Sequence, residues 1–175
     1  MPWTTMRIAA AGSIAVGFLA VALLVAAPER AAADGKESRP TGSSAPDDPN
    51  YTEGVQAIKR EDWATATRLM EAVVAKDDKN ANAYNWLAYS IRKGGDAARA
   101  IPLYQKALTI DPKHRGAHEY IGEAYLMLDN LPKAKEHLGV LDKLCFFPCE
   151  EYSDLKKAVQ AYESSGGKTK PTARP

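Results

Sequence analysis

The chain has 175 residues, with 23 Lys+Arg against 22 Asp+Glu and a formal charge of +1. That near-balance becomes neutrality once Arg7, Glu29 and Arg30 leave with a leader, so it provides no electrostatic footprint for nucleic acid. The length is that of one ordinary domain, and its first part does not belong to that domain.

Residues 1–33 read as an export leader. Arg7 precedes an apolar or small run over residues 8–27, Pro28-Glu29-Arg30 breaks the run, and Ala31-Ala32-Ala33 supplies the small-x-small pattern of a signal peptidase site. A retained N-terminal anchor is the alternative, because about 20 such residues can span a bilayer. Either route places the rest of the chain outside the cytoplasm, and it meets a membrane only if the leader stays uncleaved. Residues 34–49, rich in Gly, Ser, Pro and charge, read as a disordered linker, and residues 164–175 as a disordered tail.

Between them, residues repeat at a fixed interval of 34. Ala66, Ala100 and Ala134 keep it, as do Gly54, Ala88 and Gly122, and Met70, Tyr104 and Leu138. Such a period marks supersecondary units too small to bury their own apolar faces, which must stack. In the middle unit, Tyr84, Leu87, Ala88 and Ile91 predict an amphipathic helix over 82–93, ended by Gly94-Gly95. Asp96 then caps a second helix carrying Ala100, Ile101, Tyr104 and Ala107 as far as Asp111-Pro112. Asp62 and Asn130 fall in register with Asp96 and predict the same helical hairpin on either side. Pro102 breaks the helical rule and predicts a solvent-side bend. Past the third unit, Tyr152, Leu155, Val159 and Tyr162 share one stripe, opposite Lys156, Lys157, Gln160 and Glu163. This predicts a capping helix over 150–163 that closes the stack.

The stretch YNWLAYSIRKGGDAARAIPLYQKALTIDP, residues 84–112, resembles a near-complete tetratricopeptide repeat, with weaker copies on either side. The repeats run over about 47–80, 81–114 and 115–148, in a domain of residues 50–163. The resemblance implies an all-α fold: a right-handed solenoid of three helical hairpins with a concave face that binds a protein or peptide. In that family the first helix of each hairpin lines the groove. The implied groove residues are Tyr51, Val55 and Ile58, then Asn82, Asn85, Tyr89 and Arg92, then Glu119, Glu123, Leu126 and Met127. The lysine-and-asparagine clamp by which some relatives hold a peptide's terminal carboxylate is missing, since Trp86, Gly116 and Tyr120 stand at the matching places. The segment CFFPCEEYSDL also resembles the ending of some exported bacterial repeat proteins.

Cys145 and Cys149 are the only cysteines, and in an exported protein they are expected to pair. A metal site or a thiol-redox pair at the same residues is the alternative, and would make the chain a periplasmic carrier. His114 and His118 lack the carboxylate of a zinc-binding H-E-x-x-H, so they read as a turn residue and a packing residue. No activated serine, phosphate-cradling glycine loop or carboxylate pair with defined partners occurs. The expectation is a non-catalytic adaptor, monomeric and free of cofactor and metal, in the periplasm or secreted. With the leader retained it becomes an assembly factor tethered to the inner membrane.

Overall fold

The apolar periodicity resolves into seven α-helices in a computed structural model that describes residues 48–147, 149–168 and 170–171. They are α1 (Pro49–Lys59), α2 (Trp63–Lys76), α3 (Ala81–Lys93), α4 (Ala97–Ile110), α5 (Arg115–Met127), α6 (Leu131–Leu144) and α7 (Glu150–Ser164). The leader, the anchor reading and the linker as far as residue 47 lie outside the described residues. Among the described residues, no helix is long and apolar enough to cross a membrane.

The capping chemistry sets where each helix starts. Asp62, Asp96 and Asn130 accept hydrogen bonds from the amides of Thr65, Arg99 and Lys133, satisfying donors that the first helical turn leaves open. The residue before each cap closes the preceding helix. Gly95 has φ of +105°, and in register with it Glu61 and Asp129 have φ of +56° and +59°. Two of the three units thus hold a non-glycine residue in the left-handed region, at a cost glycine avoids. α4 runs unbroken through Pro102, which is exposed.

α1–α2, α3–α4 and α5–α6 form three hairpins that stack in succession, giving an all-α solenoid. α2 packs on α3, α4 on α5, and α7 lies against α5 and α6. α3 also touches both α1 and α5 directly, and the three form the inner row, which α7 extends. One apolar core spans α1 to α5, with Met70, Trp86, Tyr104 and Ile121 inside it. A second joins α5, α6 and α7 through Leu126, Ala134, Leu141, Leu155 and Val159. The polar face read for α7 is exposed at Lys156, Lys157, Gln160 and Glu163.

Past α7 the described residues form a turn. Gly166 and Gly167 take left-handed φ, the Gly167 amide donates to the Tyr162 carbonyl, and Lys170 pairs with Asp129 at 2.7 Å. Glycine at the helix end permits this turn. The atoms nearest to a methyl placed at Gly122 belong to Leu155 of α7, whereas at Gly54 the nearest belongs to Met70 of the partner helix α2.

Candidate functional site

The inner row brings together most of the groove residues, and it buries them more deeply than a wet surface would. Ile58, Asn82, Asn85, Arg92, Glu119 and Leu126 are buried, and Tyr51, Val55, Tyr89, Glu123 and Met127 are half-buried. Leu126 belongs to the second apolar core, so it is packing rather than groove lining. Asn82 is engaged from within, because its side-chain oxygen lies 3.0 Å from His114 Nε2.

His114 is not the solvated turn residue expected from sequence. It is fully buried, and its Nδ1 accepts from the Ala117 amide at 3.1 Å, capping α5. Nδ1 being an acceptor, the ring proton sits on Nε2 and is donated to Asn82. His118 is fixed by the same logic. Its Nε2 donates to the Pro112 carbonyl at 3.1 Å, which leaves its Nδ1 to accept from His137 Nδ1 at 2.9 Å. The His114 arrangement requires a neutral imidazole, because its Nδ1 accepts from a backbone amide. Burial accordingly lowers the pKa of His114 and His118, and burial reinforced by His118 brings His137 down to about 4.

Arg92 is the hub of the inner face. Burial opposes its charge, but Glu123 and the tyrosines outweigh that cost and raise its pKa. Its Nη1 lies 2.8 Å from Glu123 Oε2, and its Nε donates to the Tyr104 hydroxyl at 3.3 Å. The guanidinium lies over the rings of Tyr89 and Tyr120, at 5.3 Å and 5.5 Å from their centroids. Tyr89 and Tyr120 are 4.8 Å apart, and Trp86 meets Tyr89 edge-on at 5.5 Å.

Beside this cage lie four carboxylates. Glu123 faces Arg92, Glu151 faces Arg115 at 3.5 Å, and Asp154 faces Lys157 at 3.0 Å. Glu119, 4% exposed, is the fourth. Burial first, then Glu123 and Asp154, push its pKa up to about 9, against the partial relief of Arg92. Asn85, 0% exposed, has neither side-chain oxygen nor nitrogen hydrogen-bonded, and its amide abuts the start of α5 at Gly116. Sequence reasoning missed Glu151 and Asp154, because α7 read as a cap with a wet polar face. The signal available was the acidic first turn of α7 beside the inner row.

The two classes of shift act on stability in opposite directions. Folded Glu119 keeps a proton that the unfolded chain loses above its ordinary value of 4.5, so stability declines as pH rises from 4.5 towards 9. Folded His137 refuses a proton that the unfolded chain takes up below 6.5, so stability declines as pH falls from 6.5 towards about 4. Glu119→Gln copies the protonated acid. Thermal unfolding across pH should find the variant level with the parent near pH 4.5. Near pH 7 it should be more stable by roughly 3 kcal/mol, with the gap still widening above that.

Two family models described as tetratricopeptide repeat match residues 51–115 and 92–144, together more than half of the chain. The chain belongs to the tetratricopeptide-repeat family. Among solved structures it is similar to SycD, a type III secretion translocator chaperone of Yersinia enterocolitica. The two are 17% identical, the match covers 67% of this chain and 83% of SycD, and the TM-score is 0.61. PcrH in complex with the chaperone binding region of PopD is 17% identical, with 67% and 90% covered and a TM-score of 0.60. The first repeat domain of Spaghetti (RPAP3) bound to the HSP90 peptide SRMEEVD is 20% identical, with 64% and 89% covered and a TM-score of 0.58. At these identities the likeness is one of fold. No curated protein matches the sequence.

Proposed function

We propose that this chain is a non-catalytic adaptor of the cell envelope that holds a segment of another protein against the inner face of α1, α3, α5 and α7. One observation carries the reading: half-buried Tyr51, Val55, Tyr89 and Glu123 rim a floor of buried polar groups that includes the unsatisfied amide of Asn85. Such a surface offers aromatic and hydrogen-bonding anchors for an extended or helical segment. Similar folds support it, since PcrH holds a region of PopD and the RPAP3 domain holds an HSP90 peptide. Export is supported by the leader pattern, and by Cys145 and Cys149 standing at bonding distance with Cα atoms 5.7 Å apart, as a bridge in an oxidising compartment requires. Cleavage of the leader then gives a periplasmic or secreted protein, and its retention a tethered one.

The test places a photo-crosslinking residue at Tyr89 of the full chain, in living cells, with Gly139 on open outer surface as the control. A discrete adduct from Tyr89 alone is the expected result. Adducts of equal yield from both positions, or from Gly139 only, would remove the inner face from the account. Fractionation and intact mass of the same protein read out whether the leader is cleaved.

A further inference from the structure

Of the chain's three phenylalanines, only Phe146 and Phe147 lie beyond the leader, and neither belongs to an apolar core. They are 93% and 76% exposed, the most exposed large apolar side chains among the described residues. Water disfavours such surface, and two adjoining rings held outward mark a contact site rather than scattered exposure. The Cys145–Cys149 bridge closes the loop that carries them, and the rings meet edge-on at 5.0 Å. A bridged loop loses little freedom when it docks. Beside this knob lies a cleft of about 310 Å³, lined by Asp142, Cys145, Phe146 and Tyr152. It has room for one aromatic ring, with Phe146 and Tyr152 as aromatic walls.

We infer that the knob docks on a second copy of this chain, each Phe147 entering the other copy's cleft. A knob standing next to a cleft that fits it is self-complementary, and two such patches close on each other about a two-fold axis. Charge agrees with this occupant. Around the loop Asp142 and Glu150 are matched by Lys143 and by Lys156, whose Nζ lies 5.4 Å from the centre of the Tyr152 ring. Two copies therefore meet without net repulsion, whereas a surface of anionic lipid gains no attraction from the same balance. Four phenylalanines, burying about 150–250 Å² each, bring the contact towards the roughly 1,000 Å² at which specific interfaces begin. The dimer is accordingly weak, and the monomer expected from sequence holds only in dilute solution. The contact uses none of the groove residues, so the adaptor reading stands or falls without it.

The experiment is sedimentation velocity on the full chain, purified as the cell processes it, from about 1 to about 500 µM. A single monomer–dimer equilibrium is expected, with Kd on the order of 10–100 µM and no larger species, because a two-fold contact closes on itself. Phe147→Asp should weaken the dimer by at least about tenfold, with thermal unfolding unchanged because the ring it removes is exposed. A photo-crosslinking residue at Phe147 should give an adduct of twice the chain mass, joined at Asp142, Phe146 or Tyr152; that mass separates it from any other partner's adduct. A monomer at every concentration, or a dimer equally tight in Phe147→Asp, would overturn the inference. So would a monomer that sediments with phosphatidylcholine vesicles and loses that binding in Phe147→Asp, by assigning the knob to a lipid surface.

Discussion

Replacing Arg92 with methionine is expected to lower the unfolding free energy by about 3 kcal/mol, towards the low end for breaking a buried ion pair. The arginine side chain is 3% exposed, and its partner Glu123 keeps 20% of its own surface in water, which softens the loss without removing it. Methionine fills much of the same volume, so the effect reports on charge more than on a cavity. What remains behind is Glu123 beside Glu119, two carboxyls on one turn of α5 with no guanidinium between them and the tyrosines. Denaturant unfolding should show a lower midpoint with an unchanged slope. Adding Glu123→Leu should recover most of the loss, because the stranded charge is the costly part. A single substitution within 1 kcal/mol of the parent, an effect about the size of an exposed pair's, would show that the Arg92 network is not buried as described. Because Arg92 holds the fold, its variants are poor probes of partner binding, and half-buried Tyr89 is the better one.

The parts of this architecture legible in the sequence are those set by local chemistry. Asp62, Asp96 and Asn130 repeat in register, and each caps its helix, since a cap needs only a short acceptor three residues before an amide. The stripe of Leu155, Val159 and Tyr162 announces α7 in the same way, because helical periodicity shows which side is buried. What was not legible depends on how inner helices approach one another. Asn85 and Glu119 read as groove side chains by their place in the repeat, yet both are buried in the inner row. His114 read as a turn residue because Asp111-Pro112 precedes it, and only the fold brings Asn82 within reach of its ring. Asp154 and Glu151 escaped notice for the same reason: a terminal helix looks like a lid until its first turn is seen beside α5.

Leu155→Ala is expected to destabilise the protein by roughly 3–4 kcal/mol, because a fully buried leucine leaves a cavity that rigid helices refill only in part. Its position makes a sharper test possible. A methyl group added at Gly122 would lie 2.6 Å from one terminal carbon of Leu155 and 2.7 Å from the other, closer than van der Waals contact permits. Gly122→Ala should therefore cost about 1–3 kcal/mol, although alanine is favoured over glycine in a helix interior by about 1 kcal/mol. In the double variant the new methyl enters the space that Leu155 vacates, so the combined loss should fall short of the summed single losses by at least about 1 kcal/mol. Gly54→Ala supplies the contrast at the same repeat position. The atom nearest its new methyl, at 2.7 Å, is the terminal carbon of Met70, a flexible chain able to swing aside. That variant should be neutral or slightly stabilised, and the alanine already present at Ala88 shows the position can carry a methyl. Strict additivity between Gly122→Ala and Leu155→Ala in thermal or chemical unfolding would mean that α7 does not seat on α5 at this contact. The extension of the inner face by α7, and with it the carboxylates Glu151 and Asp154, would then have to be withdrawn.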